Sequence, residues 1–321
     1  MNSRQRFLDT FGIGAKPDRV PLLGEGMRPE VFATWGQPGL AALEDITKRF
    51  LFDEREEIVL EVEPDPEPER WPATLFDLED YRRHLNPDDP HRLPRLNPAW
   101  EQRRHPLLLR VNEGFFLNMG VYKWERFYDL MNLCTDQPDF VRAMMKMQGE
   151  FVAELTARFL RQSTVDAVIF SEPIGGNHGP LISPHMYADY VLPSYRPALE
   201  VIARHGIETV ILRTYANTRA LLPAAVDCGF NCLWACETDE RDMDYLDIRQ
   251  EFGPELGLIG GLDTDVLMLD QAAIRREVER VVPPLLAQGN FIPLLDGRVR
   301  EYIPYENYAY YREFLAEIVA K

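Results

Sequence analysis

The stretch IETVILRTYANTRALLPAAVDCGFNCLWACETD, residues 207–239, contains the pattern that decides the fold. Two short segments, 207–217 and 230–239, are rich in Val, Ile, Leu and Phe and are apolar on both faces, which is typical of parallel strands covered by helices. Between them, residues 218–229 form a helical pattern that ends in Gly229, a residue favoured just after a helix. The stretch therefore predicts a strand–helix–strand unit with parallel strands.

The same unit recurs along the rest of the chain. Further strand-like segments lie at 165–173, 256–264 and 290–298, and in the first half at 19–27 and 105–115. This alternation predicts an α/β fold of the (β/α)8 type, a TIM barrel of parallel strands with outer helices, which the whole chain 1–321 forms as one domain. Residues 60–104 are rich in Pro, Glu, Asp and Arg, and we predict an insertion there.

Charge and apolar content exclude several classes of function. The net charge is −17 and Lys and Arg do not cluster as they do in proteins that bind a phosphate backbone, so we do not expect nucleic acid as a partner. No apolar run reaches the roughly 18 to 20 residues of a membrane span. Residues 1–12 form a polar helical pattern without the apolar core of a signal peptide. We therefore expect a cytoplasmic protein whose four cysteines are thiols.

Polar residues at the ends of the predicted strands are the candidate site, because the carboxyl ends of barrel strands point into the active site of TIM barrels. In chain order these residues are Glu25, Arg28, Asn112, Glu113, Glu172, Asn177, His178, Arg213, Tyr215, Asn217, Glu237, Asp263, Asp296 and Arg298. For any single carboxylate, capping of the next helix is an equally good explanation. The recurrence of polar strand ends around the whole ring favours a site for a small-molecule substrate.

Two features of the candidate site keep alternative explanations open. Arg213 stands within an otherwise apolar strand and needs an anionic partner. That partner is either Glu172 or Glu237, a structural role, or the carboxylate of a substrate. The loop SEPIGGNHGPLISPHMY, residues 171–187, follows a strand, and its glycines let the backbone approach a ligand or turn sharply. His178 alone does not make a metal site, which needs three or four converging ligands.

Four segments resemble proteins of the uroporphyrinogen decarboxylase superfamily. They are SRQRFLDTFGIGAKPDRVPL (3–22), GPLISPHMYADYVLPSYRPALEVIARHG (179–206), GLIGGLDTDVLMLDQAAIRREVERVV (257–282) and PYENYAYYREFL (304–315). The superfamily includes decarboxylases, zinc-dependent methyltransferases that act between corrinoid proteins and thiols, and O-demethylase components of corrinoid systems. The chain is most similar to the demethylase-like branch, in which a Glu follows the fifth strand and an Asp the seventh, as Glu237 and Asp296 do. The resemblance implies a corrinoid (cobalamin) carried by a partner protein, and a homodimer is compatible with it.

The sequence departs from the superfamily's patterns at several positions, and these departures argue against some of the superfamily's reactions for this chain. The decarboxylases carry an Arg-rich stretch after the first strand, where this chain has GEGMRPEVF with Arg28 alone. The thiol methyltransferases place a His-x-Cys zinc pair where this chain has Arg213 to Tyr215, and a Cys where it has Asp296 and Gly297. The usual zinc ligands are therefore absent by this resemblance, and the presence of another metal stays open.

The leading hypothesis is an enzyme that transfers a methyl group from a small methylated or methoxylated compound to a corrinoid protein. The predicted catalytic residues are Tyr215, Glu237 and Asp296, and the predicted substrate-binding residues are Arg28, Glu172, Asn177, His178, Arg213, Asn217 and Arg298. Glu237 and Asp296 would protonate the leaving oxygen or bind an electrophilic metal, and Arg213 would hold a substrate carboxylate by two hydrogen bonds. The alternatives are a cofactor-independent decarboxylase of a carboxylated cyclic or tetrapyrrole-like substrate, and a binding protein that has lost catalysis.

Overall fold

The structure, a computed structural model, describes residues 1–12, 16–24, 26–238 and 242–320. The larger sheet in this part of the chain has seven strands, β1 (Glu56–Val59), β2 (Leu107–Asn112), β3 (Ala167–Glu172), β4 (Val210–Tyr215), β5 (Cys232–Cys236), β6 (Gly257–Leu262) and β7 (Phe291–Leu295). Their order in the sheet follows the chain. Pairing is parallel from β2 to β4 and from β5 to β7. The predicted α/β class with parallel strands is thereby confirmed, and closure into an eight-stranded barrel stays a prediction.

The chain divides into two compact units. The first unit comprises Met1–Glu56, Gln102–Pro106 and Cys232–Lys321, and the second unit comprises Glu57–Glu101 and Leu107–Asn231. The α-helices of the first unit are Ser3–Phe11, Pro29–Trp35, Leu43–Arg49, Tyr245–Phe252, Gln271–Gln288 and Tyr305–Val319. Those of the second unit are Leu78–Tyr81, Phe115–Asn118, Trp124–Asp136, Pro138–Leu160, Pro184–Met186, Leu192–Arg204 and Leu222–Cys228. Across the described residues, no helix has the length and apolar character needed to cross a membrane.

The opening strand predicted at 19–27 is wrong for the residues described there. Leu22 donates its N–H to Oδ2 of Asp53 at 2.9 Å, and its carbonyl accepts the N–H of Asp53 at 2.9 Å. Arg19 donates to the same carboxylate oxygen at 2.5 Å. The backbone N–H and C=O of Leu22 are therefore both bound to the buried Asp53, and the first strand of the described residues is β1 instead. Glu25, a candidate from this segment, lies outside the described residues.

Residues 60–104, where we predicted an insertion, are organised by their own polar groups. Arg92 is buried and donates to three backbone carbonyls of the same segment. Tyr81 and Trp100 are buried, whereas Phe76 is 94% exposed. The segment is folded, and its treatment as an insertion in a single domain stays a prediction.

Two consecutive glycines in β6 make room for an aromatic side chain of the first unit. A Cβ at Gly261, which has φ +86°, would lie 2.6 Å from Cδ2 of Tyr245. The Tyr245 hydroxyl accepts the N–H of Ala235 at 2.9 Å and donates to the carbonyl of Ile259 at 2.7 Å. The described pairing of β5 with β6 stops at Trp234. The tyrosine therefore replaces ladder hydrogen bonds near the carboxyl ends of these strands, where the candidate site lies.

Candidate functional site

The register of β3 and β4 separates two of the predicted site residues. Ser171 pairs with Arg213, and Glu172 pairs with Thr214. Successive side chains of a strand point to opposite faces of the sheet, and paired residues share a face. Arg213 and Glu172 therefore lie on opposite faces of the sheet, so Glu172 is not the anionic partner of Arg213.

An anionic partner of Arg213 is Glu57 of β1, which was not among the residues predicted from the sequence. Nη1 of Arg213 donates to Oε1 of Glu57 at 2.9 Å, and Nη2 donates to Oε2 at 2.6 Å. The side chains are 11% and 26% exposed, respectively. Two parallel hydrogen bonds between a guanidinium and a carboxylate are the strongest form of this contact. The two hydrogen bonds expected for a substrate carboxylate are thus made to a side chain of the protein.

A second arginine–glutamate pair lies beside the first. Nη1 of Arg110 in β2 donates to Oε2 of Glu113 at 2.8 Å, and its Nε lies 3.7 Å from Oε1 of Glu57. Burial raises the pKa of the Glu113 carboxyl, and Arg110 acts in the opposite direction. We name Glu57, Arg110, Glu113 and Arg213 the paired-charge cluster. Both arginines of this cluster are paired with a glutamate, and burial raises the pKa of one of the two glutamates, Glu113.

Glu172, predicted to bind substrate, is instead fully buried. Its Oε1 accepts the backbone N–H of Phe115 at 2.9 Å, and its Oε2 accepts the hydroxyl of Tyr195. The amide of Asn112 donates to the Tyr195 oxygen at 3.0 Å and accepts from the amide of Asn118 at 2.9 Å. Burial raises the pKa of Glu172 to about 7, against the effect of its two hydrogen bonds. These contacts give Glu172 a structural place in the second unit.

Tyr187 is buried beside this network, at the start of the π-helical turn Tyr187–Val191. Its hydroxyl has no hydrogen-bond partner within the described ranges. Burial, together with the charges of Glu172 and Cys228, raises the pKa of Tyr187 well above its ordinary value. A buried hydroxyl without a hydrogen-bond partner lowers stability, so Tyr187 is an unsatisfied polar group in the second unit.

The glycine-rich loop after β3 forms a short hairpin. Gly175–Gly176 pairs antiparallel with Gly179–Pro180, and Asn177 and His178 occupy the turn. Both turn residues are exposed. The structure therefore places these two predicted substrate-binding residues at a hairpin tip and brings neither of them to the paired-charge cluster.

The hairpin packs closely against the end of β4. A Cβ at Gly175 would lie 2.0 Å from the carbonyl oxygen of Tyr215. Asn217 donates its N–H to the carbonyl of Gly176 at 3.2 Å, and its Oδ1 accepts the N–H of Arg219 at 3.1 Å. The structure thus joins Tyr215 and Asn217 to the hairpin. Close packing of the backbone explains the glycine at 175 without a ligand.

In the first unit, Asp296 connects three strand ends. Its Oδ1 accepts the N–H and the hydroxyl of Thr264 at 3.0 and 2.7 Å, and its Oδ2 accepts the N–H and the hydroxyl of Thr238 at 2.8 and 3.0 Å. Asp296 is buried directly after β7, whereas Thr264 and Thr238 follow β6 and β5. With four donors directed at it, this carboxylate holds the ends of the strands in place.

Glu237 lies next to Asp296 and has an unusual backbone. Its φ is +48°, in the left-handed region that residues with a side chain seldom adopt. Its N–H donates to the carbonyl of Asp296 at 2.8 Å. Its carboxylate is 54% exposed and accepts a hydrogen bond from Arg300 at 3.3 Å. The structure therefore brings the two predicted catalytic carboxylates together, one enclosed by hydrogen bonds and one accessible. Backbone strain at such a position favours a functional hypothesis.

The structure also brings together the two predicted substrate-binding arginines of the first unit. Met27 forms a parallel bridge with Val299, and the N–H of Arg28 donates to the carbonyl of Val299 at 3.1 Å. Arg28 and Arg298 are both exposed. This bridge joins the last residue of the predicted opening strand to Val299. It places Arg28 and Arg298 on neighbouring segments.

Metal binding has no support from the side chains that the structure describes. In the ranges that the structure covers, no group of three or more His, Cys, Asp or Glu side chains is placed to hold a metal ion. Where the related thiol methyltransferases carry a zinc pair, Arg213 is a cation bound to Glu57, and a cation is not a metal ligand. At the other ligand position, both oxygens of Asp296 are engaged by threonines. These residues do not fit a zinc site.

Glu57 was not among the predicted site residues, although the sequence contains a signal for its strand. Ile58, Leu60 and Val62 are buried and alternate with the less buried Glu57, Val59 and Glu61, which is the period-two pattern of a strand. The Pro- and Glu-rich composition of the residues that follow obscured this pattern. Recognition of the strand would have placed Glu57 in the sheet, but not opposite Arg213.

Comparison with known proteins identifies the family. The family model for uroporphyrinogen decarboxylase (URO-D) matches residues 122–310, more than half of the chain. The matched region includes β3 to β7 and the residues that carried the resemblance at their carboxyl ends. The chain belongs to the uroporphyrinogen decarboxylase family. A search of curated proteins finds no match.

Proposed function

We propose that this protein transfers a methyl group from a small, uncharged methoxylated compound to a corrinoid carried by a partner protein. The observation that carries the proposal is the pairing of Arg110 and Arg213 with Glu113 and Glu57. A polycarboxylate would have to displace a glutamate from each arginine and leave it half-buried without its partner, which is costly. An uncharged substrate requires no such exchange. Family membership supports an enzyme of this superfamily.

In this proposal Glu113 supplies a proton. An ether oxygen leaves poorly as an alkoxide or phenoxide, so its departure benefits from a carboxylic acid whose pKa is raised. Burial raises the pKa of Glu113, which is the direction that such an acid requires. The carbon–oxygen bond breaks, the methyl carbon bonds to the reduced cobalt of the corrinoid, and the oxygen leaves as an alcohol or phenol with the proton.

The residues first predicted as catalytic take different parts in this proposal. Asp296 is a positioning residue, because both of its oxygens accept hydrogen bonds from Thr238 and Thr264. Glu237 is the accessible carboxylate of the first unit, and its catalytic role stays a prediction. Tyr215 stays a candidate hydrogen-bond donor to the substrate oxygen.

The test is the reaction of cob(I)alamin and methoxybenzene with the purified full chain. We expect methylcobalamin to form, as followed by visible absorption. Replacement Glu113→Gln should slow its formation by about a hundredfold or more, the usual contribution of a general acid. Glu154→Gln is the matched control, because Glu154 also pairs with an arginine, Arg158, at 2.6 Å but is exposed. Failure of wild-type protein to form methylcobalamin from any uncharged aryl methyl ether would contradict the proposal.

Decarboxylation is the second candidate, and the family description favours it. Release of carbon dioxide from a carboxylated pyrrole, with no methylcobalamin formed, would assign that reaction instead. Tight binding of the methoxylated compound without either reaction would favour a binding protein that has lost catalysis.

A further inference from the structure

The contact between Arg213 and Glu57 has the geometry of an occupied carboxylate-binding site. The two hydrogen bonds, at 2.9 and 2.6 Å, engage both terminal nitrogens of the guanidinium and both oxygens of the carboxylate. This is the arrangement by which arginine recognises a ligand carboxylate in a protein. Here the carboxylate comes from β1, the end strand of the sheet, and the arginine from β4.

The surroundings of the pair match those of a binding site more than those of a core contact. Ser171, the residue of β3 that pairs with Arg213, has a small side chain, so the guanidinium can extend over β3. On the far side, Nε of Arg110 lies 3.7 Å from the same Glu57 carboxylate. Glu57 therefore stands between two cations. Buried ion pairs contribute little net stability relative to apolar residues of similar volume, so stability alone does not account for this arrangement.

We propose that Glu57 is a specificity-determining residue: its carboxylate occupies the site at Arg213 and thereby excludes anionic substrates from the paired-charge cluster. This inference rests on the proposed function, because it explains why that site takes an uncharged methyl ether. Removal of the Glu57 carboxylate would convert the cluster into a site for a monocarboxylate, bound by Arg213 through two hydrogen bonds and attracted by Arg110.

The consequence for substrate choice is a matter of charge. With Glu57 present, a ligand carboxylate meets an arginine that is already paired and a glutamate of its own sign. With Glu57 replaced by a neutral side chain, the same carboxylate meets the guanidinium of Arg213 without the glutamate, beside Arg110, which stays paired with Glu113. Wild type should therefore prefer a methyl ether over its carboxylated analogue, and the Glu57 variant should prefer the carboxylated analogue. Glu113 is unchanged in both proteins.

Binding of benzoate to the full chain tests the inference without any need for methyl transfer. Isothermal titration at constant ionic strength should show that Glu57→Ala binds benzoate about tenfold to a hundredfold more tightly than wild type, as expected for hydrogen bonds to a charged group. The matched control is Asp189→Ala, since Asp189 also pairs with an arginine, Arg142, through two hydrogen bonds at 3.0 and 2.7 Å, but the Arg142 side chain is 43% exposed. Equal benzoate affinity in wild type and Glu57→Ala, or an equal gain in Asp189→Ala, would overturn the inference.

Glu57→Ala removes a partner of Arg213 and could therefore prevent folding. A second variant keeps the inference testable if it does. Glu57→Gln keeps the size of the side chain and removes its charge. Its midpoint of thermal unfolding should rise with added acetate and not with chloride at the same ionic strength, whereas that of wild type should respond to both salts alike. An identical response of wild type and Glu57→Gln would contradict the inference. Both measurements detect binding of an anion and need no methyl transfer. Their outcome is therefore independent of the test of the proposed function.

Discussion

The carboxylate of Asp296 holds Thr264 through two hydrogen bonds, one from the backbone N–H at 3.0 Å and one from the hydroxyl at 2.7 Å. Thr238 makes the same two contacts with the other oxygen of Asp296. Because the three residues follow three different strands, Asp296 fixes the loops at the carboxyl ends of β5, β6 and β7. A carboxylate that matches a family position can thus position the backbone instead of reacting with a substrate. Its contribution to the free energy of unfolding distinguishes these two roles.

Replacement of Asp296 with Asn should destabilise the protein. An amide accepts hydrogen bonds at one atom only, so its NH₂ group would face the donors of Thr264 or Thr238. We expect the free energy of unfolding to fall by about 2 to 4 kcal/mol, from lost hydrogen bonds to a charged group. Denaturant unfolding measures the change, with the exposed Asp265→Asn as control. Unchanged stability combined with lost turnover would favour Asp296 as a catalytic acid instead.

Glu172 should make stability depend on pH near neutrality. Burial raises the pKa of Glu172 from 4.5 to about 7, so the folded state binds a proton that the unfolded state has already lost in this range. The stability linked to this proton is fully present below about pH 4.5 and is lost as the pH rises through about 7, a difference of about 3 kcal/mol. Glu172→Gln should remove most of this dependence in denaturant unfolding, whereas Glu101→Gln, at an exposed position, should retain it. Parallel pH profiles for wild type and Glu172→Gln would contradict the assignment.

The two buried tyrosines near Glu172 should respond oppositely to loss of their hydroxyl groups. The Tyr195 hydroxyl donates to Glu172, whereas that of Tyr187 has no partner in the described part of the chain. Tyr195→Phe should therefore lower the free energy of unfolding by about 1 to 3 kcal/mol, and Tyr187→Phe should leave it unchanged or raise it. Equal losses in the two variants would show that the Tyr187 hydroxyl is hydrogen-bonded in solution.

Continuous burial explains why most of the strands could be predicted. Every residue of β3 is buried, so its apolar composition indicates a strand covered on both faces. The segment around Leu22 has similar composition and burial, yet its backbone is bound to Asp53. Composition alone does not distinguish these two cases, because the deciding contact joins residues far apart in the sequence.

The candidate site was predicted less completely than the fold, because its geometry depends on register. Glu172 and Arg213 both belong to strands that lead towards the site, yet their pairing partners place them on opposite faces. The pair of Arg213 with Glu57 joins residues of two strands that are not neighbours in the sheet. The need of Arg213 for an anion could be predicted from its apolar neighbours, but the identity of that anion could not.

Gly175 offers a test of whether the glycine-rich loop serves packing or a ligand. A Cβ at this position would lie 2.0 Å from the Tyr215 carbonyl oxygen, which a folded backbone cannot accommodate without moving the hairpin. Gly175→Ala should therefore lower the free energy of unfolding by about 3 kcal/mol or more, within the range found for strong overpacking. The control is Gly206→Ala: Gly206 has φ +71° and no atom within 4 Å of an added Cβ, so only backbone strain of about 1 kcal/mol applies. If Gly175→Ala were as stable as wild type and lost only substrate binding, the glycine would serve a ligand; an unfolding loss larger than that of Gly206→Ala would show that it serves the contact with β4.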